Sequence, residues 1–268
     1  MARIVNFENE NRRKVAMLGR FSVIEYQQDL SVNPLNATSE YFMGKMGVRR
    51  RQVVVDIDPS CPVTTQAGAM QWMIGNLNLT SGIKGAGDLF GKMVRGAATG
   101  ESAVKPEYSG AGRLVLEPTY KYIILQNVAN WGSGMVVEDG MFLACDSSVQ
   151  QRVVRRTNLS SAVAGGEGLF NLALAGQGVV ALESNVPFNE LVQVELQNET
   201  LKIDGHLAVM WSADLEFTVE RSSKSLLGSA ASGEGLVNVY RGTGRVFMAP
   251  VTSSASLYAA TTSMSSNG

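Results

Sequence analysis

The chain has 268 residues, of which 45% are hydrophobic and 18% are charged. That composition is typical of a folded globular protein and excludes a disordered chain, and the 28 glycines show no three-residue period, which excludes collagen. The 23 basic and 24 acidic side chains nearly cancel, so the chain lacks the basic excess that is usual in proteins that coat nucleic acid.

The N-terminal 45 residues lie outside the pattern that organises the rest of the chain. They contain no apolar run of signal-peptide length, because charged residues such as Glu8, Arg12 and Lys14 interrupt it. No segment reaches the roughly 18 apolar residues of a membrane-spanning helix. We therefore expect a cytoplasmic protein and leave contact with a membrane surface open.

The two cysteines, Cys61 and Cys145, are far apart in the sequence and form no CxxC motif. In a reducing compartment such a pair is usually structural and carries no disulfide or metal. We expect two buried, reduced thiols.

From residue 46 onward, one order of strand and turn signals occurs three times. In each copy an apolar run precedes a glycine (Gly68, Gly140 or Gly205) that opens a second apolar stretch. A glutamate follows, then a Gly-x-Gly and a last apolar strand. These positions are Glu101, Gly110 and Gly112 in the first copy, Glu167, Gly176 and Gly178 in the second, and Glu234, Gly242 and Gly244 in the third.

The local pattern within the copies is that of strands. Leu215, Phe217 and Val219 alternate with polar residues, as in a half-buried strand. A Gly-x-Gly between two short strands is typical of a tight hairpin, because glycine tolerates positive φ. We therefore assign the repeated glycines and glutamates a structural role at turns.

These signals predict an all-β protein of three tandem β-sandwich or barrel modules. Module 1 carries an insertion, for which docking on its own module and a role as an interaction arm both stay open. The C-terminal tail is rich in serine and threonine and is expected to be a flexible end. The predicted bounds are 46–118 for module 1 with its insertion at 76–99, 119–184 for module 2, 185–250 for module 3 and 251–268 for the tail.

Several segments within these modules carry a resemblance to a known family. They read PVTTQAGAMQWM, GESAVKPEYSGAGRLVLEP, GGEGLFNLALAGQGVVALE, LKIDGHLAVMWSADLEFTVERS and SGEGLVNVYRGTGRVFMAP. Together they resemble the altered-inheritance-of-mitochondria family, member twenty-four, in its bacterial branch. The resemblance implies three β modules, each similar to a subunit of the tryptophan RNA-binding attenuation protein, about a pseudo-threefold axis, and chains that can form trimers. It implies no catalytic motif.

Alternative sites have weaker support in the sequence. A dinucleotide-binding loop needs a helix after its glycines, whereas apolar strands follow Gly178 and Gly244. His206 is the sole histidine, so a catalytic triad or a histidine metal site would depend on it alone, and we expect it to be a packed or edge residue in the position matched by Ala69 and Met141. We therefore predict no catalytic residue, no cofactor and no metal.

Two arginine clusters remain as a candidate surface for an anionic partner. No basic set recurs in all three modules, so nucleic acid is not the favoured partner. The clusters are Arg49, Arg50 and Arg51, and Arg152, Arg155 and Arg156.

The sequence therefore predicts a non-enzymatic assembly or scaffold protein that forms a homo-oligomer, with a trimer favoured, and that has room for further protein partners. Two alternatives stay open. One is small-ligand or cation binding near the pseudo-threefold axis, where the three repeated glutamates would converge. The other is RNA or anionic-surface binding through the arginine clusters.

Overall fold

A computed structural model describes residues 3–80, 105–155, 170–205, 207–221 and 236–251 of the chain, and these residues are mostly β-strand. The helix α1 (Ala37–Lys45) lies between the second and third strands, and short 3-10 turns occur at Val128–Trp131 and Phe188–Glu190. The strands are β1 (Arg12–Leu18), β2 (Phe21–Tyr26), β3 (Arg51–Ile57), β4 (Val63–Thr65), β5 (Met70–Thr80), β6 (Glu107–Leu116), β7 (Tyr122–Asn127), β8 (Met135–Val137), β9 (Phe142–Asp146), β10 (Val149–Arg155), β11 (Phe170–Gly176), β12 (Val179–Ser184), β13 (Val192–Asp204), β14 (Ala208–Ser212), β15 (Glu216–Arg221) and β16 (Leu236–Met248).

The strands form two curled, barrel-like antiparallel sheets, which confirms the all-β prediction. The first sheet has the order β1-β2-β3-β6-β4-β9-β12-β7, with β5 also paired to β6. The second has the order β10-β11-β8-β14-β16-β13, with β15 also paired to β16. Neighbouring strands in a sheet are therefore often distant in the sequence.

A run of β-branched residues forms a buried strand in the first sheet. Val53, Val54 and Val55 of β3 are all buried, so both faces of this strand are covered. A continuous valine run suits such a position, because β-branched side chains pack well on a pleated surface. The predicted strand around Phe217 is also confirmed, as β15.

The largest core cluster joins strands of both sheets. Leu182 of β12 belongs to the first sheet, whereas Leu174 of β11 and Met210 of β14 belong to the second, and all three are fully buried in one cluster with Trp131. Burial of apolar surface between the sheets supplies the main stabilising free energy. The 3-10 turn that carries Trp131 thus belongs to the core.

Two of the three Gly-x-Gly positions are bends within a strand and the third connects strands of different sheets, so the predicted hairpins are wrong. β6 and β16 run through Gly110/Gly112 and Gly242/Gly244 without a break, and at each bend the strand changes partners. At Gly176/Gly178 the chain passes from β11 in the second sheet to β12 in the first. Positive φ angles at five of these six glycines, all but Gly112, make the bends possible.

Residues 76–80, which the sequence assigns to an insertion, continue β5 and pair with β6. Glycine also stands at the bend of β5, since Gly75 has a φ of +111° and lies against the backbone of Gly112. The rest of the predicted insertion lies outside the described residues.

Both cysteines are free thiols, as expected, but only Cys145 is buried. Cys61 is partly exposed because it closes the turn that follows β3, where its backbone N–H donates to Asp58. The expectation of two buried thiols is therefore wrong for Cys61.

We expect Gly110→Ala to lower the free energy of unfolding by about 2 kcal/mol, since this position has positive φ and strain there costs roughly 1–3 kcal/mol. An added Cβ would lie only 2.1 Å from the carbonyl oxygen of Asn76. Urea unfolding followed by circular dichroism measures the change. The matched control is Gly44→Ala in α1, where an added Cβ meets nothing within 4 Å. Equal destabilisation by both changes would contradict the role of the bend.

Thiol labelling tests the burial of Cys145. Burial raises the pKa of the Cys145 thiol to about 12, so only about one molecule in ten thousand carries the reactive thiolate at pH 8. In a Cys61→Ser variant we expect an aromatic disulfide reagent to label Cys145 only when the protein unfolds. Labelling of the folded variant at the rate seen in urea would show that the thiol is accessible.

Candidate functional site

The predicted modules are joined by a recurring strand pairing. β4 of module 1 pairs with β9 of module 2, with Thr64 opposite Cys145. β8 of module 2 pairs with β14 of module 3, with Val136 opposite Trp211. In both cases the strand before the module's leading glycine meets the strand after the next module's leading glycine. We call this antiparallel pairing the module junction.

Backbone hydrogen bonds at one end of each junction are also equivalent. The N–H of Gln66 donates to the carbonyl of Leu143 at 2.7 Å, and the N–H of Glu138 donates to the carbonyl of Val209 at 3.0 Å. Gln66 and Glu138 each stand two residues before their leading glycines, Gly68 and Gly140. The two junctions therefore share one register.

The corresponding strands of the first and last predicted modules have no partner strand of this kind among the described residues. Residues 199–204 of β13 hold the position of β4 and β8 in module 3, and pair with β16 alone among the described strands. Residues 70–74 of β5 hold the position of β9 and β14 in module 1, and in the same part of the chain pair with β6 alone. We call these segments the β13 edge and the β5 edge. The β13 edge lacks a glycine-led strand as its neighbour, and the β5 edge lacks the short strand that precedes a leading glycine.

An ion pair ties the N-terminal hairpin β1–β2 to this framework. Arg20, in the hairpin turn, lies with Nη2 at 2.5 Å from Asp146 Oδ1, and its Nη1 donates to the carbonyl of Cys61 at 2.5 Å. The other carboxylate oxygen of Asp146 accepts the N–H of Val179 at 2.7 Å. Asp146 is 7% exposed, so this carboxylate is satisfied inside the protein. Sequence reasoning missed the pair, because its members are 126 positions apart.

The first arginine cluster is largely neutralised by acidic residues of the N-terminal segment. Glu25 pairs with two of its members, since Arg49 Nη1 lies 3.2 Å from Oε1 and Arg51 Nη2 lies 2.9 Å from Oε2. Arg51 is 6% exposed and its guanidinium stacks over the ring of Tyr122 at 4.0 Å. Arg51 is thus a structural residue in this arrangement.

Arg50 is the centre of a second polar network. Its Nη2 lies 2.7 Å from Asp29, and its Nε donates to the hydroxyl of Tyr120 at 2.8 Å. That hydroxyl donates in turn to Glu40 of α1 at 2.6 Å. Burial lowers the pKa of Arg50, but the hydrogen bond to Tyr120 and the charge of Asp29 outweigh this, so the pKa lies above its usual value.

The second arginine cluster is described only in part. Arg152 is exposed on β10, and Arg155 ends that strand, while Arg156 lies outside the described residues. Arg152 and Arg155 lie in the second sheet, whereas Arg51 opens β3 in the first. No strand pairing joins the two clusters among the described strands.

The predicted glutamates Glu101, Glu167 and Glu234 and the histidine His206 also lie outside the described residues, so their roles stay predictions. Leu207 holds the position that we predicted for His206. The carbonyl of Leu207 accepts the N–H of Ala249 at 2.7 Å, as the carbonyls of Ala69 and Met141 accept the N–H groups of Glu117 and Glu183.

The N-terminal segment and module 1 enclose a pocket of about 500 Å³, which the sequence did not indicate. Its wall includes Asp29, Glu40, Lys45, Arg49 and Arg50. We call this cavity the N-terminal pocket. Its lining residues come mainly from the β2–α1 connection, α1 and the segment before β3. Their proximity depends on the fold, so the sequence alone does not indicate the pocket.

Two features are absent from the described part of the chain. No cluster there combines three or more histidine, cysteine, aspartate or glutamate side chains in a way that would hold a metal ion. In the same residues no helix has the length and apolar character needed to cross a membrane.

Comparison with known proteins places most of the chain in one family. The sequence profile described as mitochondrial biogenesis AIM24 matches residues 46–251. An uncharacterized protein of Streptococcus pyogenes serotype M6 is 29% identical over 204 residues, which cover 73% of this chain and 79% of that protein. The crystal structure of a Streptococcus pyogenes protein is 27% identical, covers 80% of this chain and 93% of its own, and superposes with a TM-score of 0.56. The profile begins at residue 46, where the strand and turn pattern also begins, and the chain belongs to the mitochondrial biogenesis AIM24 family.

Proposed function

We propose that this protein is a non-enzymatic assembly component that forms a homo-oligomer by pairing the β13 edge of one copy with the β5 edge of the next. The module junction is the observation that supports this proposal. It occurs twice with one register and leaves one unpaired member at each end of the described chain. An exposed strand edge is a ready template for another strand, because its N–H and C=O groups lack partners.

The register of the proposed contact follows from the two observed junctions. In the two observed junctions, Thr65 pairs with Ala144 and Val137 pairs with Met210. The equivalent residues at the two open edges are Ile203 and Trp72, which therefore lie opposite each other in the proposed contact. Lys202 then lies opposite Met73, and Leu201 opposite Ile74. Ile203 is 4% exposed, like the buried residues of β4 and β8 at its position, so the inward face of the β13 edge is already formed.

We also propose that the three modules stand about a pseudo-threefold axis in an open form, as the family resemblance implies. An exact threefold rotation at each junction would close the last junction within one chain, whereas a smaller rotation leaves the β13 edge and the β5 edge open for a neighbouring copy. A neighbouring copy completes the last junction in this arrangement, and a head-to-tail contact of that kind builds a ring when the rotation closes. A ring of three copies is the favoured assembly.

The other two functions have less support. Binding of RNA or of an anionic surface would need accessible basic side chains, whereas Arg49, Arg50 and Arg51 pair with Glu25 and Asp29. Binding of a cation near the axis depends on glutamates outside the described residues. The assembly proposal depends on backbone pairing that is described.

Cysteine cross-linking tests the contact and its register. In a Cys61→Ser background, a mixture of Lys202→Cys and Met73→Cys proteins is expected to form a disulfide-linked dimer under mild oxidation, because these positions face each other across the proposed contact. Non-reducing electrophoresis reads the result. Each variant oxidised alone is the control and should stay largely at the mass of one chain.

Light scattering during size-exclusion chromatography gives the oligomeric state independently. We expect three times the mass of the 28.7 kDa chain. A protein of one-chain mass, or a doubly substituted chain that forms the disulfide only within itself, would contradict assembly through these edges.

A further inference from the structure

The N-terminal pocket has the size of a small-molecule site and lies mostly on residues before the family-matched region. Its volume of about 500 Å³ is within the range of roughly 300–1,000 Å³ that ligand sites occupy. Most of its wall comes from residues 26–45, whereas the family profile begins at residue 46. The pocket is therefore a feature of this chain beyond the shared modules.

Polar contacts hold the outer wall of the pocket in place. None of the residues of α1 is buried, so core packing does not fix this helix. Glu40 connects it to the sheet instead, through the hydroxyl of Tyr120 at 2.6 Å, and Tyr120 is held by Arg50. Side chains at a pocket wall have protein atoms on one side only, so a bound molecule adds van der Waals contacts on the other side. A ligand that fills the pocket would thus stabilise the helix.

The charges around the pocket do not balance. Glu25 is shared by two guanidinium groups, and Arg50 is matched by Asp29 with Glu40 farther away at 3.8 Å. Lys45 adds a further positive charge, with its ammonium over the ring of Tyr41 at 5.3 Å. Among the described residues, the basic side chains at or directly behind the wall are Lys45, Arg49, Arg50 and Arg51, and the carboxylates are Glu25, Asp29 and Glu40. One positive charge is in excess.

Arg49 has an unused hydrogen-bonding edge. Its Nη1 donates to the side-chain oxygens of Glu25 and Gln27. Among the described residues, its buried Nε has no hydrogen-bond partner and its Nη2 makes no hydrogen bond. The Nε–Nη2 edge of a guanidinium matches the two oxygens of a carboxylate. The side chain is 33% exposed, so an anion can approach the guanidinium from the pocket, and a small turn of the side chain is needed for it to reach the buried Nε.

We propose that the N-terminal pocket binds a small organic monocarboxylate. Its carboxylate lies against the open edge of Arg49, with the ammonium of Lys45 nearby. Its apolar part lies against Val32, Ala37 and Val48 of the same wall. A single negative charge matches the excess of one positive charge, whereas a phosphate dianion would leave the pocket net negative and would lose more hydration on entry.

Calorimetric titration of the full chain tests this proposal with butyrate and benzoate as probes. We expect saturable one-to-one binding of at least one carboxylate. Butyramide and benzamide, which have the same shape without the charge, should bind at least about tenfold more weakly. Phenyl phosphate should also bind more weakly than benzoate. Equal binding of acid and amide, tighter binding of phenyl phosphate, or no binding of either acid would overturn the proposal.

Two variants locate the site. Gly44 lies in the pocket wall and an added Cβ there meets nothing within 4 Å, so Gly44→Leu adds apolar bulk at the wall without altering a charge, and leucine favours a helix more than glycine does. We expect it to abolish binding while the melting temperature stays equal or rises. Arg49→Gln should weaken binding about tenfold, whereas Arg152→Gln, an exposed arginine on β10, should leave it unchanged. Undiminished binding by a folded Gly44→Leu protein would place the carboxylate elsewhere and overturn the assignment.

Discussion

The arrangement of the predicted modules depends on backbone pairing between a short strand of one module and the glycine-led strand of the next. Each of these strands has a second neighbour within its own module, so each strand pairs on one side with its own module and on the other side with the adjacent module. Backbone groups at the junction are thereby satisfied on both sides, as burial in a sheet requires. Side chains can vary widely under such a constraint, provided that small residues stand where strands bend.

The N-terminal segment is attached by a different kind of interaction. Arg20 reaches Asp146 across the first sheet, and Glu25 bridges Arg49 and Arg51. Such partly buried pairs add little net stability over an apolar contact, but the loss of one partner leaves an uncompensated charge. They therefore fix where the segment lies more than they stabilise it. A segment placed by polar contacts can border a pocket without filling it with apolar side chains.

The all-β class could be predicted because it is a local property. Alternation around Phe217 and the valine run of β3 both specify strands without knowledge of their neighbours. The Gly-x-Gly positions could be found but not interpreted, since a hairpin and a bend both need positive φ. Only the pairing of β6 with β3, β4 and β5 distinguishes them. The arginine cluster shows the same limit. The sequence gives three adjacent positive charges, whereas Glu25 and Asp29 become their partners only once β2 pairs with β3.

The β13 edge also shows how a strand with one open edge can stay specific. β13 is long, and a long flat edge would invite pairing in many registers. At Asn198 the φ angle is +58° and the register with β16 shifts between Gln197 and Glu199, which breaks the edge into two shorter pieces. Bulges of this kind bend a strand and limit what can pair with it. The piece beyond the bulge corresponds to β4 and β8, so the bulge separates the part of the edge that matches one module junction from residues 192–197. A partner strand must then match the alternation of Leu201 and Ile203 over a short stretch, and Trp72 and Ile74 of β5 do so.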